Sequence, residues 1–401
     1  MIGPLSQQTD RETEIGLYIH VAFCRSICFY CDFNAYAGLS QLIPAYVDAL
    51  VDEIGLLPPP LSDPWPLDPR FRVGSIYLGG GTPSLLAVEQ IGRVLAAARQ
   101  WPAAEDPEVS LEANPEDLTG DYLQALRDLG VNRLSIGVQT FDDALLRRLG
   151  RRHGGAAAIR AVEQARRAGF DNINLDLMFA LPGQSLADWR RALDQAVALQ
   201  PEHLSLYNLT IEEGTPFHRW VMTGRLRPPD DDLAADMYRL AIDRLAAAGY
   251  AQYEISNWAR CDHRRCFQSR HNLRYWRNQP YLGVGAGAHS AFGGYRYANV
   301  RAPAAYIARI RARQSPVERA SIEYIDQRRA MAETMFLGLR LVEGIAVADF
   351  QARFGCLPAD VYGAELTELA AAGLLEVTDG RIRLTERGRF LGNEVFVRFV
   401  S

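Results

Sequence analysis

GLYIHVAFCRSICFYCDF, residues 16–33, decides the fold. Its opening run, 16–21, is short, apolar and rich in β-formers, and it leads straight into a loop carrying Cys24, Cys28 and Cys31. Outward from it the same kind of run recurs at 75–78, 109–112, 133–138, 172–178 and 203–208. Helix-period segments lie between these runs, at 41–56, 85–99, 119–129, 155–168 and 187–199. Alternating β and α units require a parallel sheet with right-handed crossovers. Six such units fall short of a closed eight-stranded barrel, so the expected fold is α/β, an open partial (β/α)6 TIM-like barrel.

Beyond the barrel, residues 56–70 hold six prolines and read as a surface excursion, neither helix nor central strand. RPPDDD at 227–232 supplies an acidic cap to a helix at 233–248. Glycine-rich apolar segments at 253–258 and 281–289 extend the sheet region. From about residue 315 the pattern changes to helices followed by a hairpin turning on Asp379-Gly380, a smaller winged-helix-like module. The division expected is 1–310 and 311–401. The last 42 residues hold five Arg against seven Asp and Glu, which favours a structural or partner-docking wing over one that binds DNA.

The 401 residues are 48% hydrophobic and 23% charged, enough to bury a large core. A net charge of −5 offers no positive field for nucleic acid or an anionic membrane. No run approaches the roughly 18 apolar residues of a membrane span, and the first residues lack the apolar core of a signal peptide, so a cytoplasmic protein without a transmembrane segment is expected. Six cysteines are too few for a disulfide scaffold of this size, and three fall within eight residues, as ligands in a reducing compartment would. All 43 basic residues are Arg. Schiff-base chemistry, a pyridoxal-phosphate lysine and a P-loop lysine are thereby excluded, because each needs a primary amine.

In an α/β barrel the site lies at the carboxyl ends of the strands. There the sequence places the cysteine loop, GGGTPS at 79–84, Glu112, Gln139, Asp176 and Tyr207-Asn208. Cys24, Cys28 and Cys31 have the spacing C-x3-C-x2-C, which lets three thiolates hold a cubane and leaves one iron open to a ligand. The alternative is zinc completed by His20 or Cys261, though no second C-x2-C pair is present. The glycines of GGGTPS allow close backbone approach of a ligand, and their N–H groups suit a carboxylate. A glutamate ending the third strand suits an ammonium, and Gln139 and Asp176 suit ribose or other polar groups.

With these residues in place, the sequence resembles the radical S-adenosylmethionine (SAM) superfamily, in the branch holding oxygen-independent coproporphyrinogen III oxidases and HemW-type heme chaperones. The resemblance runs from about Leu17 to the C-terminus on LYIHVAFCRSICFYCDF, YLGGGTPS, SLEANPE, RLSIGVQTFDD, INLDLMFALPGQ, LSLYNLTIEEGTP, YEISNWA and HNLRYW. It implies a [4Fe–4S] cluster on Cys24, Cys28 and Cys31, with SAM chelating the fourth iron. By matching positions it implies SAM contacts from Tyr18, Phe33, Gly81, Thr82, Glu112, Gln139, Arg151 and Asp176. The chemistry it implies belongs to the cofactor, a reduced cluster releasing a 5′-deoxyadenosyl radical from SAM, so no side chain is expected as a catalytic acid or base.

Coproporphyrinogen oxidases read Cys-Gly-Cys where this chain reads Cys31-Asp32-Phe33, a departure that fits the chaperone branch, as does HNLRYW at 271–276. In that motif His271 is an imidazole suited to heme iron, with Tyr275 and Trp276 as flat surface and nearby arginines (264, 265, 270, 274, 277) for propionates. Cys266 is a possible alternative ligand, while Cys261 and Cys356 read as plain thiols. A heme chaperone passing heme to acceptor apoproteins is the reading preferred over decarboxylation of coproporphyrinogen III or a radical SAM methyltransferase. The resemblance further implies a homodimer and an acceptor at a respiratory membrane.

Overall fold

The computed structural model describes residues 14–56, 71–263 and 265–400. Apart from Leu56, the expected proline-rich excursion lies outside the described residues, as do the N-terminal stretch read for a signal peptide and Arg264.

Six strands stand side by side in chain order and all parallel: β1 (Glu14–Val21), β2 (Arg72–Gly80), β3 (Ala103–Ala113), β4 (Arg133–Gln139), β5 (Ile173–Phe179) and β6 (His203–Asn208). Their crossovers are α1 (Ile43–Gly55), α2 (Val88–Ala98), α3 (Gly120–Asp128), α4 (Asp143–Leu149), α5 (Gly155–Arg167) and α6 (Leu186–Ala198). The two faces separate by the period of two. Leu17, Ile19, Val21, Ile76, Leu78, Leu134, Ile136, Leu175 and Leu177 are at most 4% exposed and belong to the main apolar core. The alternate residues, Tyr18, His20, Ser75, Tyr77, Glu112, Ser135, Asn174 and Asp176, make the opposite face polar.

Beyond β6 come α7 (Pro216–Met222), α8 (Asp231–Ala247), β7 (Ala251–Glu254), β8 (Asn257–Ala259) and α9 (Arg270–Trp276). The acidic cap is in place, Asp230 accepting from the Leu233 N–H at 3.0 Å. On the far flank β9 (Tyr281–Val284) pairs with β1 as a seventh parallel strand, Gly16 opposite Tyr281. Then β10 (His289–Phe292), β11 (Tyr295–Ala298) and, after α10 (Pro303–Arg311), β12 (Glu323–Tyr324) continue antiparallel. The twelve-stranded sheet runs β12-β11-β10-β9-β1-β2-β3-β4-β5-β6-β8-β7, so antiparallel strands extend the half-barrel at both edges.

A second core gathers Met335, Leu339, Phe350, Leu369, Ile382 and Phe399. Its order, α11 (Gln327–Gly338), β13 (Ile345–Ala346), α12 (Val347–Phe354), α13 (Pro358–Ala371), β14 (Leu375–Thr378) and β15 (Arg381–Leu384), is that of a winged helix. The hairpin turns on Asp379 and Gly380, both at positive φ (54° and 70°), as a type I′ turn requires. The expected division at 310 falls before β12 returns to the large sheet; the second core starts at α11. Arg296 of β11 grips the buried Glu333 of α11 through both Nη atoms (2.7 and 3.0 Å), tying the two cores together. No helix of the described residues is long and apolar enough to cross a membrane.

Candidate functional site

At the carboxyl end of β1 the chain leaves the sheet and turns through the three cysteines, none of which is in a disulfide. Two neighbouring loops hold this turn. From the loop after β2, the Thr82 hydroxyl donates to Cys24 Sγ at 3.2 Å. From the loop after α4, Arg151 directs Nη1 at Cys28 Sγ (3.6 Å) and donates Nη2 to Asn114 Oδ1 (2.6 Å) and the Gly137 carbonyl (2.8 Å). Burial pushes the Cys24 thiol up and the Cys31 thiol up to about 11. At Cys24 and Cys31 burial thus disfavours a bare thiolate, which a bound metal would stabilise.

The residues fit a cubane better than a single ion. Among the described residues no three His, Cys, Asp or Glu side chains converge as ligands of one metal ion. A cubane asks each thiolate to take a different iron. The partners that zinc would need are engaged elsewhere: His20 lies 3.0 Å from the Tyr18 hydroxyl and 2.9 Å from the Asn34 carbonyl oxygen, and Cys261 forms a disulfide with Cys266. That disulfide corrects the expectation that Cys261 is a plain thiol, and it withdraws Cys266 as a heme ligand. The buried Arg151 Nε has no hydrogen-bond partner among the described residues, a donor left over beside the thiols.

Next to the cysteine loop the Gly79–Gly81 turn shows why it is glycine. A Cβ on Gly81 would stand 2.6 Å from the Phe23 carbonyl oxygen and 2.8 Å from that of Val21, and Gly80 has φ +110° with the His20 ring against it. Glu112 reaches this turn from β3, accepting from the Tyr77 hydroxyl (2.8 Å) and the Gly80 N–H (3.0 Å). Burial, and after it the charge of Asp176, holds its carboxyl up at about 7, a group primed for a cationic ligand. Asp176 accepts from Ser135 Oγ (3.0 Å) and Asn174 Nδ2 (2.9 Å). Gln139 ends β4 in the left-handed region at φ +64°.

Tyr18, Phe33 and Glu112 open into a cavity of about 870 Å3 that Tyr275, Tyr281, His289 and Arg301 also line. The structure thus brings Tyr18, Phe33 and Glu112 to one cavity and Thr82 and Arg151 to the thiols, with Gly81 packed under the loop. Gln139 ends β4, and Asp176 lies in the middle of the adjacent β5 on the polar face.

Comparison with known proteins places this arrangement. Residues 18–196 match the radical SAM superfamily model and residues 325–391 the HemN C-terminal domain. The chain is 38% identical to the heme chaperone HemW of Bacillus subtilis over 96% of its length and 98% of that protein's, and 36% identical to HemW of Escherichia coli over 96% and 98%. The chain belongs to the HemW family of radical SAM proteins. The solved coproporphyrinogen III oxidase (HemN) of E. coli shares the fold, with TM-score 0.81 at 24% identity over 97% of this chain and 90% of that one.

In this member of the HemW family the HNLRYW motif sits differently from what the sequence suggested. It forms α9, which enters the half-barrel at the amino ends of its strands. Glu108 accepts from the Arg270 and His271 N–H groups (3.1 Å each), and Arg274 pairs with Glu14 of β1. His271 is 1% exposed, with Nδ1 2.9 Å from Ser75 Oγ and Nε2 2.8 Å from the Tyr275 hydroxyl, and its ring stacks on Tyr77. Burial and the charge of Arg133 lower its pKa to about 3. The imidazole expected to face heme is a neutral plug, and Tyr275 alone carries the motif to the cavity wall. Trp276 is covered by the Arg340 guanidinium, 4.3 Å from the ring centroid.

Sequence reasoning missed Asn114, which joins Arg151 to the Thr82 hydroxyl, and the Ser135–Asn174–His203 chain beneath Asp176. Strand alternation puts Ser135, Asn174 and His203 on the polar face, so the period of two was the available signal.

Proposed function

We propose that the chain is a heme chaperone: it carries a [4Fe–4S] cluster on Cys24, Cys28 and Cys31, binds SAM at the open iron, takes heme and passes it to acceptor apoproteins. The observation that carries this reading is the thiol loop, stitched to Thr82 and Arg151, whose next residues, Phe33 and Asn34, line a cavity of about 870 Å3. Bound there, cluster and SAM supply reductive cleavage of the sulfonium. The chain's own residues bind and orient: Glu112 for the amino group, Asp176 and Gln139 for ribose or other polar groups, Tyr18 and Phe33 as cavity wall, and Gly81 as the close-approach point. The HemW names of the relatives support heme as cargo, and the family supports cluster and SAM.

The test is stoichiometric heme titration of anaerobically reconstituted protein followed by transfer to an apoprotein. One heme bound per chain and released to the acceptor supports the reading. Vinyl product formed from coproporphyrinogen III above background would replace it with the decarboxylase.

A further inference from the structure

The cavity has two ends of different chemistry. Tyr18, Phe33, Gly80 and Glu112 line the end beside the cysteine loop. The other part of the lining, from β9 to β11, the segments after them and Tyr275 of α9, has aromatic and apolar walls from Tyr275, Tyr281 and Val300, with the His289 imidazole, the Arg301 guanidinium and the Glu318 carboxylate, the last paired with Arg309 at 3.5 Å. Its floor is fixed: the buried Glu53 accepts from the Gly285 N–H (2.8 Å) and Asn299 Nδ2 (2.6 Å), so the loop between β9 and β10 is held from beneath.

The cavity-lining imidazoles are not equivalent. His20 is held on both nitrogens by Tyr18 and Asn34. His289 is exposed to the cavity, and neither of its ring nitrogens has a hydrogen-bond partner among the described residues. His271, which the motif suggested, has both nitrogens engaged. The Arg301 side chain makes only a 3.4 Å contact from Nε to Asn34 Oδ1 and has no carboxylate partner among the described residues, unlike that of Arg296 nearby, which is committed to Glu333. A neutral imidazole with a free lone pair is a metal ligand, an uncommitted guanidinium binds a carboxylate, and tyrosine rings accept a flat apolar ring system.

We propose that this end of the cavity is the heme site, with His289 as a ligand to the iron and Arg301 holding a propionate. The proposal rests on the heme-chaperone reading and adds the site to it. The volume of about 870 Å3 lies within the range of roughly 300–1,000 Å3 usual for cofactor pockets. Because the same cavity continues to Glu112, heme in this site would face the SAM end directly.

The experiment is an anaerobic titration of the reconstituted full-length chain with hemin, read by heme absorption and EPR, for the wild type and for His289→Ala, His289→Met and Arg301→Glu. Expected is a nitrogen-ligated heme in the wild type. His289→Ala should lose that spectrum, bind at least about tenfold more weakly and recover the spectrum on adding imidazole. His289→Met should show a sulfur-ligated spectrum, which decides the question even if the alanine variant folds poorly. Arg301→Glu should weaken binding with the ligand spectrum unchanged. If the wild type binds heme and all three variants match it, the assignment to this site is overturned while the chaperone reading stands. If the wild type binds no heme, the chaperone reading itself fails.

Discussion

Replacing His271 by Phe separates a buried plug from an open ligand without any cofactor present. Phe keeps the ring against Tyr77 but leaves the Ser75 and Tyr275 hydroxyls without their partner. Two buried polar groups left unsatisfied cost about 1–3 kcal/mol each, less where water reaches them, so a loss of about 2–4 kcal/mol at pH 7 is expected. The pH dependence is more telling. The folded-state pKa, about 3, lies below the unfolded value of roughly 6.5, so the neutral ring's contribution is complete above pH 6.5 and is lost as pH falls toward 3. Between pH 7 and pH 5 the unfolded chain gains about 2 kcal/mol by protonating this one histidine. Urea unfolding of the apo-protein at both pH values should therefore show a wild-type loss about 2 kcal/mol larger than that of His271→Phe. Equal losses in the two proteins would mean that His271 titrates freely, and the buried-plug description would be wrong.

Five further outcomes are expected. Cys28→Ser should abolish the cluster's visible absorption, while Arg151→Gln, which removes the contact to Cys28 and the bonds to Asn114 and Gly137, should lower the bound iron per chain without touching a ligand. Gly81→Ala forces the cysteine loop off the Phe23 and Val21 carbonyls, so it should cost about 1–3 kcal/mol in chemical denaturation and reduce cluster loading. Glu112→Gln should weaken SAM binding in equilibrium dialysis while leaving cluster absorption intact. Arg296→Ala leaves Glu333 buried with only Arg329 at 3.4 Å, and should cost about 2–4 kcal/mol in urea unfolding.

The half-barrel was legible because each parallel strand is a short apolar run between amphipathic helices, and the observed ends differ from the expected ones by only a few residues except where β2 and β3 run longer. The hairpin was legible because Asp379-Gly380 is turn chemistry. That 281–289 extends the sheet was legible, but its parallel pairing with β1 was not, since Tyr281–Val284 has no crossover helix of ordinary length before it and reaches β1 only through the tertiary fold. The cysteine loop was legible from spacing, whereas its supports, Asn114 above all, depend on contacts between residues 30 and more apart. His271 is the instructive case. Its motif was visible, yet whether an imidazole faces a cavity or a serine depends on where a seven-residue helix docks, and that is decided by Glu14, Ser75 and Glu108 on other strands. His289 carried no signal in sequence beyond its place at the end of a glycine-rich run.

The central claim is that three thiols on one loop leave a single iron accessible beside Glu112. Mössbauer spectroscopy of 57Fe-reconstituted protein, recorded before and after adding SAM, tests it most directly. The account predicts a [4Fe–4S] spectrum in which one iron of the four shifts when SAM is added, and a spectrum with all four irons unaltered by SAM, or no cubane at all, would contradict it.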